Sequence, residues 1–246
     1  MHILLPPSET KRDGGSPDSA LSLDALGFGA LTPQRRRMLA ALRTLSRNRA
    51  NAAQALHLGV TQLFEVERNR TVRHSPVMAA MDRYTGVLYE ALDPHTLTTQ
   101  ARAFAADHVV IHSALFGLLG AAAPIPAYRP SHDSRLPGLS IGRTWREPVS
   151  RELVNLEDLI LDLRSESYVA LGRAPQGALF LRVVTEGTDG IRRALNHFNK
   201  KGKGEFVRAL LLAGVDHPDA GSLLRWAASA GIRLERGEPG QLQLIV

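Results

Sequence analysis

The chain has 246 residues, of which 44% are hydrophobic and 22% charged, and it contains no cysteine. This composition is typical of a folded globular protein and excludes fibrous and largely disordered chains. The lack of cysteine also excludes disulfide scaffolds, thiolate metal sites, iron–sulfur clusters and cysteine nucleophiles, and it fits a cytoplasmic location. We expect no signal peptide and no membrane span, because the glycine- and proline-containing apolar stretch at residues 114–128 is shorter than the about twenty residues that a span needs.

Basic residues outnumber acidic ones, which gives a formal net charge of +6, and nearly all of them are arginine. Of the 30 basic residues, the lysines are Lys11, Lys200, Lys201 and Lys203. A chain that otherwise uses arginine keeps lysine where a compact, mobile charge is useful, so these positions are candidate ligand contacts. A solvent-exposed loop in which lysine arose by chance substitution, without a ligand, explains the cluster at residues 200–203 equally well.

The hydrophobic pattern predicts strands separated by helices along the whole chain. A buried strand at residues 2–5 is ended by Pro6 and Pro7, and a helix begins near Thr32, with Thr32 as the N-cap and Pro33 at its first position. A short helix follows residues 83–89. Further helices are predicted over residues 49–58, 61–69, 94–106, 191–198, 205–213 and 218–230, and further strands over residues 108–113, 159–163, 178–184 and 242–246.

This alternation predicts an α+β fold (mixed α/β), in which a mixed sheet is covered by helices within a single domain over residues 1–246. Residues 33–75 are predicted to form a basic helical insertion or subdomain. Within residues 33–73, nine arginines against Glu65 and Glu67 give a charge of +7, which exceeds the net charge of the whole chain. Such a surface is typical of phosphate contact, although solvated arginine faces are also common.

Two segments place polar groups just after predicted strands. Residues 113–120 (SALFGLLG) run from a strand into a glycine-containing turn, which can bring backbone N–H groups to a phosphate but is also explained by close packing. Residues 162–168 (DLRSESY) follow an apolar strand with charged and hydroxyl side chains. Because ligands of open α/β sheets bind beyond the carboxyl ends of strands, we expect a site at this edge.

Other segments carry cations, paired glycines or paired histidines. Residues 125–131 (IPAYRPS) present tyrosine beside arginine, and residues 196–204 (NHFNKKGKG) would, as a loop, wrap an anionic ligand. Residues 136–142 (LPGLSIG) are similar to the hairpin of helix-hairpin-helix DNA modules, but their glycines are one residue too far apart, which favours a simple loop. His108 and His112 share a strand face without a nearby carboxylate, so no metal site is expected.

Six segments together occur in the order seen in the peroxide stress protein YaaA family: ILLPPSETK, RYTGVLYEAL, SALFGLLGAAAPIPAYR, Trp145-Arg146, DLRSESY and HFNKKGKG. The likeness spans nearly the entire chain, which resembles actinobacterial-type members more than enterobacterial ones. The resemblance implies a cytosolic bacterial protein of the oxidative stress response that limits free iron and iron-dependent damage. It also implies a mixed α/β fold with a positively charged cleft, and DNA binding through a helix-hairpin-helix-like element.

By position, the resemblance implies that a nucleic acid or another anion is bound by residues of the matching segments. These residues are Ser8, Lys11, Arg83, Tyr84, Gly86, Ser113, Gly117, Tyr128, Arg129, Trp145, Arg164, Ser165, His197, Lys200, Lys201 and Lys203. In one departure, the family usually has Arg-Pro after SALFGLL where this chain has Gly120-Ala121. One expected cation of the cleft is therefore missing.

Two functions are consistent with these residues. The first is a protein that binds DNA phosphates with little sequence preference and could also take a nucleotide or another anion. The second is an enzyme acting on a nucleotide or nucleic-acid phosphate, in which a desolvated lysine is nucleophile or base and Arg129 and Arg164 stabilise negative charge. Convergence of Tyr128, Arg164, His197 and a lysine in a closed pocket would favour the enzyme, and a long open groove would favour DNA. No cofactor is expected.

Overall fold

A mixed sheet of eight strands forms the centre of the molecule, in the order β4-β3-β1-β6-β7-β10-β9, with β8 paired to β7. The computed structural model describes residues 1–187, 192–194 and 198–246. The strands are β1 (His2–Leu5), β2 (Met78–Ala79), β3 (Val109–Ser113), β4 (Gly117–Gly120), β5 (Pro124–Ile125), β6 (Ile160–Asp162), β7 (Leu179–Glu186), β8 (Arg192–Ala194), β9 (Leu234–Arg236) and β10 (Gln241–Ile245). Strands β2 and β5 pair separately.

The central strands run parallel, and β1, β3 and β6 are almost entirely buried. Strand β1 pairs in parallel with β3 on one side and with β6 on the other, β6 continues to β7, and β7 continues to β10. Burial on both faces explains the uninterrupted apolar run at residues 3–5, because helices cover the two sides of a parallel sheet. Antiparallel strands β4 and β9 close the edges. The predicted mixed α/β fold is thus confirmed.

Helices occupy the longer connections between the strands. They are α1 (Thr32–Leu45), α2 (Arg49–Ala55), α3 (Phe64–Thr71), α4 (Ala80–Arg83), α5 (Val87–Leu92), α6 (Thr99–His108), α7 (Ile141–Val154), α8 (Glu166–Val169), α9 (Phe198–Ala213) and α10 (Ala220–Ser229). In the described ranges, none of these helices is both long and apolar enough to cross a bilayer.

Helix α1 begins one residue earlier than predicted. Thr32 already has helical dihedral angles (φ −58°, ψ −38°), and Leu31 takes the cap position without a side-chain hydrogen bond. The reason is that the short 3-10 turn Gly29–Leu31 leads straight into α1, so no extended residue remains to act as an N-cap. Pro33 therefore stands at the second helical position, where its missing N–H is still tolerated.

The lysine-rich segment is helical, which corrects the loop predicted there. From Phe198 onward it forms the start of α9, and its glycines serve close packing. A Cβ atom at Gly204 would lie 2.2 Å from the Leu88 carbonyl oxygen, and one at Gly202 would lie 3.2 Å from Val183. Glycine here lets α9 approach α5 and the sheet, and this tertiary contact overrides the low helix propensity of glycine.

The helix predicted over residues 191–198 is also wrong in part, because Arg192–Ala194 form strand β8 and continue the sheet beside β7. The other residues of that prediction up to His197 lie outside the described residues. The segment 136–142 is, as predicted, a turn: Leu136 pairs with Leu139 and Ser140 caps α7.

Candidate functional site

A cleft of about 610 Å³ opens at the carboxyl ends of β1 and β6. These two strands are parallel neighbours, so the residues that follow them, from Pro6 and from Leu163, leave the sheet at the same edge. In the sheet, β3 and β4 lie on one side of β1, and β6, β7, β10 and β9 lie on the other. Open α/β sheets bind ligands at such a switch point, where the chain changes the side on which it adds strands. The cleft lining consists of Pro6, Pro7, Ser8, Glu9, Thr10, Thr85, Gly86, Val87, Leu88, Tyr89, Ser131, His132, Leu163, Ser165, Ser167, Tyr168, Asn199, Lys200 and Lys203.

Hydroxyl groups form one wall of the cleft. Thr10 Oγ1 lies 2.9 Å from Thr85 Oγ1 and 3.2 Å from Ser8 Oγ, and Ser8 Oγ also accepts a hydrogen bond from the Thr10 backbone N–H. Gly86 has φ +92°, and a Cβ there would lie 3.1 Å from Ser8 Oγ. Glycine is needed at this position both for the backbone conformation and for room beside the hydroxyls. Across the cleft, Ser165 and Ser167 hydrogen bond to each other at 2.9 Å.

Among the described residues that line the cleft, the cations are two lysines from the first turns of α9. Lys200 is exposed, whereas Lys203 is only 5% exposed and donates from Nζ to the Leu163 carbonyl oxygen at 2.9 Å. The Lys203 ammonium also lies 5.3 Å from the centre of the Phe180 ring. Burial lowers the pKa of Lys203 to about 8, and the attraction of Asp162 only partly offsets that effect.

Beside the cleft lies a buried lysine that contacts two tyrosines. Lys11 Nζ is 4.0 Å from the Tyr128 ring centre and 5.6 Å from that of Tyr84, and it donates to the Glu9 carbonyl oxygen. Lys11 is 7% exposed, and this burial lowers its pKa to about 7. Contact with the faces of aromatic rings retains part of the favourable interaction that the ammonium loses with water.

A chain of hydroxyl groups runs beneath Lys11. Ser113 Oγ is 2.7 Å from the Tyr128 hydroxyl, which is 2.6 Å from the Tyr84 hydroxyl. Ser113 Oγ already accepts two backbone N–H groups, from Leu115 and Phe116, so its own proton is donated to Tyr128, whose hydroxyl also shares a hydrogen bond with that of Tyr84. Burial raises the pKa of Tyr128 to about 12 and holds that of Tyr84 well above its usual range, so both phenols are neutral at physiological pH.

Arg129 connects the cleft to the basic helices. Its guanidinium pairs with Glu9 at 2.9 Å, and its backbone N–H donates to Asn69 Oδ1 on α3. Its Nη1 is buried without a hydrogen-bond partner among the described residues. The side chain is only 7% exposed, so Arg129 lies below the surface of the cleft beside the cleft-lining Glu9.

Arg164 holds a buried polar cluster behind the cleft. It makes two hydrogen bonds to Asp162, at 2.6 and 2.9 Å, and donates to His112 Nδ1 and to the Gly172 carbonyl oxygen. Because a guanidinium only donates, His112 Nδ1 must accept and its proton sits on Nε2. Burial, together with the charge of Arg164, holds the pKa of His112 well below its usual range.

Two other predicted contacts also lie in the interior. Arg83 is fully buried and donates to four carbonyl oxygens, those of Ile125, Arg12, Gly14 and Pro76. Trp145 is fully buried and donates from Nε1 to the Ala114 carbonyl oxygen. Gly117 adopts φ +69° directly against this indole, 2.8 Å from where a Cβ would sit, which assigns the glycine to packing.

The predicted site residues thus fall into distinct places. The cleft lining contains Ser8, Ser165, Lys200 and Lys203. Buried beside it are Lys11, Tyr84, Ser113, Tyr128 and Arg129, and deeper in the interior are Arg83, Trp145 and Arg164. Lys201 is exposed and pairs with Glu205 at 3.5 Å. His197 lies outside the described residues. The ligand contacts themselves stay predictions.

Sequence reasoning missed several residues of this region. Ser167 and Tyr168 line the cleft and belong to a segment that was already singled out, where their place after a strand was the available signal. Arg35 is fully buried in the arginine run and donates to the carbonyl oxygens of Phe116, Gly27 and Leu118. The sequence signal for its burial is helical spacing: the apolar residues Met38, Leu39 and Leu42 follow Arg35 by three, four and seven residues, so all four lie on one face of α1.

The basic helical block presents most of its arginines to solvent. Six of them are exposed and form no hydrogen bond or ion pair through their side chains with the described residues: Arg36, Arg37, Arg43, Arg47, Arg49 and Arg73. Arg36 and Arg43 lie two turns apart on the same face of α1, about 10 Å along its axis. Arg68 and Arg70 are instead paired with Glu65 and Glu67.

Ligands for a metal ion are sparse in the part of the chain that the structure describes. There, no three His, Asp or Glu side chains come together in a group that could hold one. Gly120, which stands where the family usually has arginine, ends strand β4, and a Cβ there would contact nothing within 4 Å.

Comparisons with known proteins agree with the segment resemblance. The family model described as "Peroxide stress protein YaaA" matches residues 1–229. A UPF0246 protein of Corynebacterium glutamicum is 39% identical over 96% of this chain and 95% of its own length, and one of Corynebacterium efficiens is 38% identical over 100% of both chains. A UPF0246 protein of Streptomyces coelicolor is 33% identical over 98% of this chain and 94% of its own. The chain therefore belongs to the peroxide stress protein YaaA family.

Proposed function

We propose that this peroxide stress protein binds DNA through phosphate contacts in the cytoplasm and thereby limits iron-dependent damage. The cleft takes one phosphate-bearing unit of a strand. The exposed arginines of the helical block contact phosphates elsewhere on the nucleic acid. The observation that carries the proposal is the cleft itself, where Lys200 and Lys203 face a set of hydroxyls that includes Ser8 and Ser165.

The size of the cleft favours an unpaired nucleotide over an intact duplex. A volume of about 610 Å³ lies within the range of small-ligand sites, whereas a duplex is contacted along an extended surface. Lysine and hydroxyl groups recognise phosphate oxygens and carry no base code. We therefore expect single-stranded or distorted DNA to bind more tightly than duplex, with little preference for sequence.

Binding of a fluorescently labelled oligonucleotide at several salt concentrations tests this proposal. Lys200→Ala should weaken binding and reduce the slope of log K against log salt by about 0.7, the value of one phosphate contact on a single strand. Lys201→Ala is the matched control, because Lys201 is also exposed but lies outside the lining. Equal effects of the two variants would refute a phosphate site in the cleft.

The cellular part of the proposal has its own test. In a strain that lacks the protein, the wild-type gene should restore survival under hydrogen peroxide and lower the amount of free iron. The Lys200→Ala gene should restore both less well than the Lys201→Ala gene. Full restoration by both variants would separate peroxide protection from the cleft.

A second candidate is an enzyme acting on a nucleotide, and the arrangement of Lys11 favours it. Its buried ammonium, with a pKa near 7, contacts Tyr128 in the hydroxyl chain from Ser113 to Tyr84. Groups of this kind can exchange a proton near neutral pH. Incubation with nucleotides and oligonucleotides, followed by mass spectrometry of products, tests this candidate. Turnover should be lost in Tyr128→Phe, which removes the central hydroxyl and leaves the ring.

A further inference from the structure

We infer that the Lys203 amine forms an imine with the aldehyde of a sugar phosphate whose phosphate occupies the cleft. This inference rests on the proposed function, since it requires phosphate binding in the cleft. The ligand class is an open-chain phosphorylated sugar, either free or as an abasic site within a DNA strand. Both sources present the same chemistry, a carbonyl carbon close to a phosphate.

The first argument is the position of Lys203. It lines the cleft although it is 5% exposed, so its amine meets a ligand in the cleft while being largely shielded from bulk water. Shielding disfavours the ammonium form and lowers the pKa of Lys203 to about 8, so at pH 8 a much larger fraction of Lys203 than of an ordinary lysine is the uncharged, nucleophilic amine.

The second argument is that no described carboxylate neutralises Lys203 in an ion pair. The two acidic residues whose charges act on Lys203 are paired with arginines: Asp162 is held by Arg164 through two hydrogen bonds, and Glu166 lies 3.5 Å from Arg182. The direct partner of Lys203 is the Leu163 carbonyl oxygen. This contact holds the amine in place and leaves the other positions on nitrogen for a ligand.

The third argument is the separation of roles within the cleft. Lys200 is exposed and lies one helical turn before Lys203, and Ser8, Thr10, Ser165 and Ser167 supply hydroxyls. A phosphate can be bound by Lys200 and the hydroxyls while the carbonyl reaches Lys203. An anion-binding lysine and a nucleophilic lysine are thus adjacent but in different environments, one solvated and one desolvated.

The step balances without a further reactant. The nitrogen lone pair of Lys203 attacks the aldehyde carbon, and the carbon–oxygen double bond becomes a hydroxyl in the carbinolamine. The oxygen then leaves as water, carrying the two protons that the amine nitrogen loses overall, and a carbon–nitrogen double bond remains. Borohydride adds hydride to the imine carbon, and the nitrogen takes a proton from water, which fixes the adduct as a stable secondary amine.

Borohydride trapping on the full-length protein at pH 8 tests the inference. One arm uses glyceraldehyde 3-phosphate, and another uses an oligonucleotide that contains a single abasic site. Peptide mass spectrometry should find the adduct, with the mass of the ligand less water plus two hydrogens, at Lys203 at least tenfold above Lys200 and Lys201. If only one of the two ligands labels Lys203, that result identifies the source of the ligand. Labelling by either ligand supports the inference.

Controls distinguish a binding site that is specific for the phosphorylated ligand from an amine that reacts with any aldehyde. Neutral glyceraldehyde should label Lys203 at least tenfold less than glyceraldehyde 3-phosphate, and inorganic phosphate should compete with the phosphorylated ligand. Lys203→Arg keeps the charge and should abolish the adduct, whereas Lys201→Arg should not. Because the adduct is located directly in the wild-type protein, the result does not depend on the folding of a variant.

Several outcomes would overturn the inference. These are the absence of an adduct in both arms, equal labelling of Lys200, Lys201 and Lys203, and equal labelling by neutral glyceraldehyde. If labelled oligonucleotide still binds in the fluorescence assay while no adduct forms, the inference fails and the proposed DNA binding stands. If neither binding nor adduct is found, both fail.

Discussion

Two buried lysines in and beside the cleft and six exposed arginines of the basic helical block lie in opposite environments. In and beside the cleft, Lys11 and Lys203 are buried, and their burial lowers the pKa of each to about 7 and 8. In the block, six arginines are exposed and unpaired with described residues. Buried amines gain chemical reactivity at the cost of solvation, whereas exposed guanidinium groups supply a charge field that salt screens. The net charge of a region therefore does not by itself locate a ligand-binding site, because the same charge can be buried or solvated.

The largest expected effect separates buried from exposed cations by stability. Arg164→Met leaves the buried Asp162 carboxylate without its partner, and we expect the free energy of unfolding to fall by about 3–5 kcal/mol. Arg36→Met, on the exposed face of α1, should change it by less than about 0.5 kcal/mol. Urea denaturation measures both free energies of unfolding. Similar values for the two variants would show that the buried and the exposed arginine contribute equally to stability.

The next effect concerns the packing that brings Lys203 to the cleft. Gly204→Ala places a Cβ against the Leu88 carbonyl oxygen and should separate α9 from α5, at a cost of about 3 kcal/mol. Gly120→Ala is the control, because its Cβ meets open space and its backbone has no positive φ. Urea denaturation of both variants gives the comparison, and a Gly204→Ala protein as stable as Gly120→Ala would show that close packing does not set the position of α9.

The burial of Lys11 predicts a dependence of stability on pH. Its folded pKa is about 7, below the ordinary 10.5, so between these values the unfolded chain binds more protons and stability rises with pH. From pH 7.5 to 9.5 Lys11 should contribute a gain of about 2 kcal/mol. The buried tyrosines, whose folded pKa is raised, reduce stability only above about pH 10.

Urea denaturation at pH 7.5 and 9.5 measures this contribution. The rise should shrink by about 2 kcal/mol in Lys11→Met, and it should be unchanged in Lys201→Met, whose lysine is exposed. If the wild-type protein and Lys11→Met show the same rise, Lys11 is not desolvated as the structure has it.

The smallest expected effect is on nucleic-acid binding by the helical block. Replacing Arg36 and Arg43 together with Ala should reduce the salt slope for a single-stranded oligonucleotide by about 1.4, which is two contacts of about 0.7 each. Folding should be nearly unchanged, since both side chains are exposed. Arg225→Ala on α10 is the control for loss of an exposed arginine outside the block. A slope equal to that of the control would assign phosphate binding to the cleft alone.

Much of the fold could be predicted from the pattern of the chain. The parallel strands β1, β3, β6, β7 and β10 were found within one or two residues because buried parallel strands read as apolar runs, whereas the antiparallel β4 was predicted as a turn. The start of α9 was missed because Gly202 and Gly204 indicate a loop when read locally. In the structure, Gly202 packs against Val183 and Gly204 against Leu88. These contacts join residues far apart in sequence, so the local pattern cannot show them.

The candidate site could be predicted only in part, for a similar reason. Ser165 was found because it follows a strand end, Ser8 through the family resemblance, and Lys200 and Lys203 because lysine is rare in this chain. Arg83 and Arg164 were predicted as ligand contacts, but each guanidinium donates to partners in the interior. Residue type shows that a guanidinium is present, and only the packed structure shows which acceptors surround it.

By itself, the sequence determined the positions of the central strands along the chain, the family and the polarised charge, because these depend on local pattern and composition. The tertiary structure decided which cations are buried. It set Lys203 against the Leu163 carbonyl oxygen in the cleft and Arg164 against Asp162 behind it. Desolvation depends on every neighbouring atom in space, so chain order cannot supply it.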